Sequence, residues 1–188
     1  MVAAAVQGQT HADSANKMII VKVSVLFPIA WEAGQANNNV ILGVALERGI
    51  KKRHSFQFTG LFDNAKSGDQ EHYRNTFFIE DYKFFLKKEN HFGGFYSGIN
   101  GEEIIEYTSY VSYGNMYSAL EYRDFRIGGG LLIGYRNCFD HHFTIDLLCG
   151  YMWGYLIDRK ITKQINSYIH GDKVETYPRF AINFGYKF

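Results

Sequence analysis

The last ten residues, Arg179–Phe188, read RFAINFGYKF. Phe180, Ile182, Phe184, Tyr186 and Phe188 fall on every second position, with Ala181, Asn183, Gly185 and Lys187 between them. Successive side chains of an extended strand point to opposite faces, so the segment has one bulky apolar face and one small or polar face. Such a strand separates two different environments, and the fold turns on which face meets water.

The same alternation recurs upstream. In 17–27, Ile19, Val21, Val23, Val25 and Phe27 oppose Lys22 and Ser24. In 39–47, Val40, Leu42, Val44 and Leu46 oppose Ile41, Gly43, Ala45 and Glu47. In 55–63, Phe56, Phe58 and Phe62 oppose Gln57, Thr59 and Asp63. Segment 75–88 is strand-like with an unclear phase, open to a bulge, and 92–99 follows. In 124–136 and 142–154, Phe, Ile, Leu, Tyr and Trp oppose Arg126, Gly128, Gly130, Gly134, Thr144, Asp146 and Gly150. With the closing segment these make eight strands of a length that crosses a bilayer at a tilt, and an even number closes antiparallel neighbours into a ring. Pro178 is expected at the head of the last strand, where its missing N–H does least harm.

Connections at 48–54, 88–91 and 137–141 are short; those at 28–37, 64–74, 100–123 and 155–175 are long. This alternation is expected of an outer-membrane barrel with short periplasmic turns, long outside loops and both termini periplasmic.

The composition fits. Among 188 residues, aromatics reach 17%, with 19 Gly and 2 Pro, and the formal charge is +1. That mix favours strands and tight turns. Near-neutral charge argues against a nucleic-acid surface. Residues 17–188 are expected to form a single barrel domain after a leader or signal-peptide remnant at 1–16. Cys138, expected in a turn, and Cys149, inside a strand, read as free thiols.

A narrow eight-stranded lumen has room for small residues and paired charges, not for Phe at every inward position. The bulky faces are therefore placed in lipid. The expected interior charge network is Lys22, Glu47, Arg126, Asp146, Arg179, Lys187 and one of Glu80 or Asp81, with Glu80 assigned. It is read as a plug, because unpaired buried charge is costly. Trp31, Phe92, Tyr122, Tyr135, Trp153, Tyr177 and Phe188 are expected at the two interfaces.

The closing FAINFGYKF resembles the C-terminal signal read by the outer-membrane assembly machinery. More narrowly, EDYKFFLKKENHFGGFYSGI (80–99), IGGGLLIGYR (127–136) and FTIDLLCGYMWG (143–154) resemble a family of small Bacteroidota outer-membrane β-barrels of unknown function. The likeness is good over the second half of the chain and loose over the first. It implies the same fold and location. It carries over no catalytic residue or cofactor, and some members are encoded near fimbrial genes.

Chemistry-bearing motifs are few. Gly128-Gly129-Gly130 lacks the strand–loop–helix context of a phosphate loop. His141 and His142 are adjacent and would point to opposite faces, so no metal site is assigned. Ser167, His170 and Asp172 share the last long loop and supply the residue types of a nucleophile, base and orienter. They carry the alternative reading of a lipid A acyltransferase or deacylase. The third long loop spaces Tyr107, Tyr110, Tyr113, Tyr117 and Tyr122 every three to five residues, a pattern suited to recognition. The favoured function is a non-enzymatic, cofactor-free barrel in contact with outer-membrane lipid and lipopolysaccharide, offering these loops to a surface protein, fimbrial subunit or glycan. A soluble lipocalin-like binder of a small ligand, with the faces reversed, is the further alternative.

Overall fold

The computed structural model describes residues 18–28, 41–51, 53–67, 71–86, 93–113, 117–139, 142–165 and 173–188. It holds eight strands: β1 Ile19–Pro28, β2 Ile41–Lys51, β3 His54–Ser67, β4 Glu71–Phe85, β5 Gly94–Tyr113, β6 Tyr117–Phe139, β7 Phe143–Ile165 and β8 Val174–Lys187. Each pairs antiparallel with its sequence neighbours, and β8 closes on β1, so the sheet is an up-and-down barrel.

One hydrogen-bonded row runs Val21, Leu46, Phe58, Glu80, Gly101, Gly129, Trp153, Thr176. On β8, Thr176 lies ten residues before Tyr186, the partner of Val21, so the row closes on itself with a stagger of ten positions. That stagger fixes the strand tilt. At a tilt near 40° each residue climbs about 2.5 Å, so an apolar belt about 25 Å tall takes roughly ten residues per strand.

The strands are unequal. β1 and β2 have 10 and 11 residues, whereas β5, β6 and β7 have 20, 23 and 23. This corrects the expected long loops. Most of 64–74, 100–123 and 155–175 is strand, so that β3 and β4 are joined through 68–70 and β5 and β6 through 114–116. Among the described strands, those from β3 to β7 therefore climb past β1, β2 and β8. Alternation without apolar contrast hid this: above the belt apolar and polar residues mix on both faces, as with Leu120, Ile161 and Ile165 among Thr108, Glu121 and Lys160, and the period-two signal fades.

Other expectations change in detail. β4 pairs without a bulge and sets its phase by Ile79, Asp81, Lys83 and Phe85 inward. Pro178 is the fifth residue of β8, one position above the point where its described pairing with β1 begins. Cys138 belongs to β6 rather than a turn; neither cysteine forms a disulfide, and the two point to opposite faces, Cys138 inward and Cys149 outward. At the start of β5, Gly94 takes φ 97°, a left-handed value at which an L side chain would be strained.

The two faces differ sharply. Val44, Phe62, Phe95, Leu131, Ile133 and Phe143 are more than half exposed on the outside. Inside, Lys22, Glu47, Asp81, Lys83, Arg136 and Asp146 are buried. The interior is not made of small and polar residues alone: Ile20, Leu61, Ile79, Phe85, Tyr96, Leu132 and Leu148 form an apolar cluster within it. Glycines make room for these large inward groups. A Cβ on Gly134 would come within 2.3 Å of the Tyr96 ring, so the glycine is what lets that tyrosine lie across the lumen.

Candidate functional site

The lower half of the lumen is organised around two carboxylates. Asp146 on β7 accepts from Lys22 Nζ at 2.8 Å, Lys83 Nζ at 2.9 Å and Arg136 Nη2 at 2.9 Å, and from the Tyr96 hydroxyl. Glu47 on β2 accepts from Arg136 Nη2 at 2.6 and 2.8 Å and from Lys22 Nζ. Gln57 joins the two lysines through Oε1, at 2.7 Å from Lys22 and 2.9 Å from Lys83. The Arg136 guanidinium also lies 4.9 Å from the centre of the Phe85 ring, and Lys83 lies 4.9 Å from that of Tyr96. Strict alternation builds this cluster: Lys22, Glu47, Gln57, Lys83, Arg136 and Asp146 all occupy inward positions at the same end of the ring. The side chains of all five charged members are 0% exposed.

Higher up, Arg179 on β8 clasps Asp81 on β4 with two bonds, 2.7 and 3.1 Å long. Tyr177 donates its hydroxyl to Glu102. At the upper rim Asp124 takes Arg159 Nε at 2.7 Å, while Arg126 pairs with Glu175 at 2.9 Å and Asp124 at 3.3 Å. Glu106, with 26% side-chain exposure, lies 3.9 Å from Arg126. It stands eleven residues above Phe95, beyond the belt's roughly ten-residue span. Burial there raises its carboxyl above the ordinary range, against the opposing pull of Arg126.

Of the expected interior set, Lys22, Glu47, Arg126, Asp146 and Arg179 lie inward in these clusters. Lys187 occupies an inward register position at the lower mouth, opposite Ile20. Glu80 does not belong: it is exposed on the outer face, between Phe58 and Gly101, and Asp81 takes the inward place. Aromatic residues at 77, 78, 82, 84 and 85 lie on both faces of β4, which is why its phase was ambiguous. The phase follows once Asp81 and Lys83 are taken as an inward pair two residues apart. Arg136 and Asp124 were also missed, although each shares parity with Arg126.

The tyrosines divide between faces. Tyr107 points outward, whereas Tyr110 and Tyr122 belong to the inner face; Tyr113 and Tyr117 are register partners at the top of the β5–β6 hairpin. They are thus strand residues rather than one loop surface. Tyr122 receives the Arg159 guanidinium 5.0 Å from its ring centre. Tyr122 and Tyr177 are consequently removed from the expected interface girdle, while Tyr135, Trp153 and Phe188 stand on the outside. Trp31, Phe92, His141, Ser167, His170 and Asp172, with the leader, lie outside the described residues. His142 stacks on Tyr186 at 5.5 Å in the turn before β7.

No protein-family profile matches the chain, and no curated protein matches it. Among solved structures it is similar to the N-terminal β-barrel domain of OprF from Pseudomonas aeruginosa, at 10% identity and TM-score 0.46, covering 92% of this chain and 98% of that one. Neisserial surface protein A gives 10% identity and TM-score 0.46 over 90% and 94% of the two chains. The attachment invasion locus protein Ail of Yersinia pestis gives 12% identity and TM-score 0.44 over 91% and 95%.

Proposed function

We propose that this chain spans a bacterial outer membrane as a filled barrel and acts through the wall it raises outside the cell, without catalysis and without passing solutes. The observation that carries the reading is the inverted distribution of polarity. Phe62, Leu42, Val44, Leu131 and Ile133 are about 60% or more exposed while the Lys22–Glu47–Asp146–Arg136 cluster is sealed inside. Water-soluble barrels reverse this arrangement, and a continuous apolar surface of this extent needs lipid. A lipocalin-like binder would also want an apolar chamber, whereas here the lumen is crossed by charged side chains. A filled interior favours a plug over a pore, since moving an ion through would require breaking these pairs.

In this placement both termini and the tight turns face the periplasm, and the β3–β7 wall faces outward. The part of that wall above Tyr107, which runs to the register partners Tyr113 and Tyr117 at the top of the β5–β6 hairpin, suits contact with a surface protein, fimbrial subunit or glycan. The test is refolding into detergent followed by electrophoresis in SDS with and without boiling. A folded barrel should migrate differently until heated, and the same preparation should give no steady conductance in planar bilayers. Good solubility without detergent and no mobility shift would overturn the membrane reading; stepwise conductance would overturn the plug. Replacing 109–121 by a two-residue turn should leave the mobility shift intact and abolish partner binding.

A further inference from the structure

The outer face carries a row of cations just above the apolar belt. Arg74 on β4, Tyr107 on β5, Arg123 on β6 and Lys160 on β7 are successive partners in register. All four are exposed, and their neighbours Asn75, Glu106, Asp124 and Arg159 point inward. Counting up from Phe84, Phe95, Tyr135 and Ile145, a ten-residue belt ends at Arg74, Ile105, Phe125 and Tyr155. The row therefore begins at the upper edge of the hydrocarbon and rises into the headgroup layer.

Three features mark it as a binding surface. Paired strands lie about 4.8 Å apart, so Arg123 and Lys160 are like charges set directly opposite, which is unfavourable without an anion between them. Among the described residues no ion pair engages Arg74, Arg123 or Lys160. The outward acids at this end, Asp158 and Glu121, stand opposite Phe125 and Lys163 rather than opposite the row. Beneath lie Thr76, Ile105 and Phe125, and the row's one uncharged member is a tyrosine, the residue suited to the boundary of lipid and water.

We propose that this row binds the phosphate groups of a lipid A-type glycolipid in the outer leaflet. Arg74 and Arg123 present planar forks to phosphate oxygens, Lys160 adds a point charge, and the acyl chains run down the belt below. The proposal rests on the membrane placement given above. A soluble anion would gain nothing from a site continuous with an apolar wall, which is why the lipid is favoured as its source.

The experiment uses the full chain in phosphatidylethanolamine vesicles, alone or doped with phosphorylated lipid A, with the same lipid dephosphorylated, or supplied with inorganic phosphate. Phosphorylated lipid A should bind at least tenfold more tightly than the dephosphorylated form, weaken with salt, and raise the denaturant midpoint. The Arg74→Gln/Arg123→Gln/Lys160→Gln variant should lose that preference while keeping the heat-dependent mobility shift; Arg123→Gln alone should lose part of it. Equal binding of the two lipids, an unchanged variant, or equal stabilisation by inorganic phosphate would overturn the assignment. Failure to insert into phosphatidylethanolamine alone would instead overturn the membrane placement, and this proposal with it.

Discussion

Asp146→Asn is the substitution that probes the interior most directly. The lower cluster contains three cations, Lys22, Lys83 and Arg136, and two anions, Glu47 and Asp146, and so carries a formal charge of +1. Asp146 is the acceptor shared by all three cations and by Tyr96. Its neutralisation leaves +2 sealed in the wall and Lys83 with Glu47 at 3.5 Å as its nearest remaining anion. Removing one partner of a buried ion pair costs about 3–5 kcal/mol. Lys22→Met brings the cluster to zero and replaces an ammonium by an apolar chain of similar length, so it should cost under about 2 kcal/mol. Both are measured by urea unfolding in lipid vesicles, scored by electrophoretic mobility and corroborated by tryptophan emission. If Lys22→Met cost as much as Asp146→Asn, net charge would not govern this cluster, and the account of it as a compensated ion network would fail.

Three further outcomes follow from positions outside that cluster. Glu80→Leu should stabilise the barrel in vesicles by about 1 kcal/mol, since a carboxylate on the lipid face is unfavourable there; a loss in the same unfolding assay would mean that Glu80 has a partner in the membrane. Glu106→Gln should raise stability at neutral pH, with the gain fading as pH falls: the folded protein binds a proton at Glu106 more readily than the unfolded chain does, so the wild type recovers stability as pH drops through the raised value. Denaturant midpoints at neutral and acid pH test this, and a gain that grew on acidification would refute it. Trp153, 48% exposed on the outer face, should be quenched by brominated lipid, and Trp153→Phe should remove most of that quenching; emission unaffected by the bromines would place this face away from lipid.

Much of the fold could be read from the chain because lipid on one side and a narrow lumen on the other impose a strict two-residue period. That period assigned Lys22, Glu47, Arg126, Asp146 and Arg179 to the interior. It failed where the contrast between faces disappeared. Around β4 aromatic residues occupy both faces, and Glu80 was given the inward place that Asp81 holds. Above the belt, water bathes both sides of the wall, so 100–123 looked like a loop although it pairs continuously as β5 and β6. The cationic row was invisible for a different reason. Arg74, Arg123 and Lys160 are widely spaced in sequence, and only the register between strands makes them neighbours.

The interior pairs also bear on how the barrel forms. Lys22 meets Asp146 across 124 residues, Arg179 meets Asp81 across 98, and Arg136 meets Glu47 across 89. Until the ring closes, Arg179 and Asp81 lack each other, and Lys22, Glu47, Arg136 and Asp146 of the lower cluster keep only the partner on an adjacent strand. A half-built sheet would have to expose those groups to lipid, so partly inserted intermediates are strongly disfavoured and insertion is coupled to closure. Long sequence separations also slow that closure. Assembly should thus be late and concerted, with a chain ending before β8 failing to acquire protease protection rather than yielding a stable seven-stranded fragment.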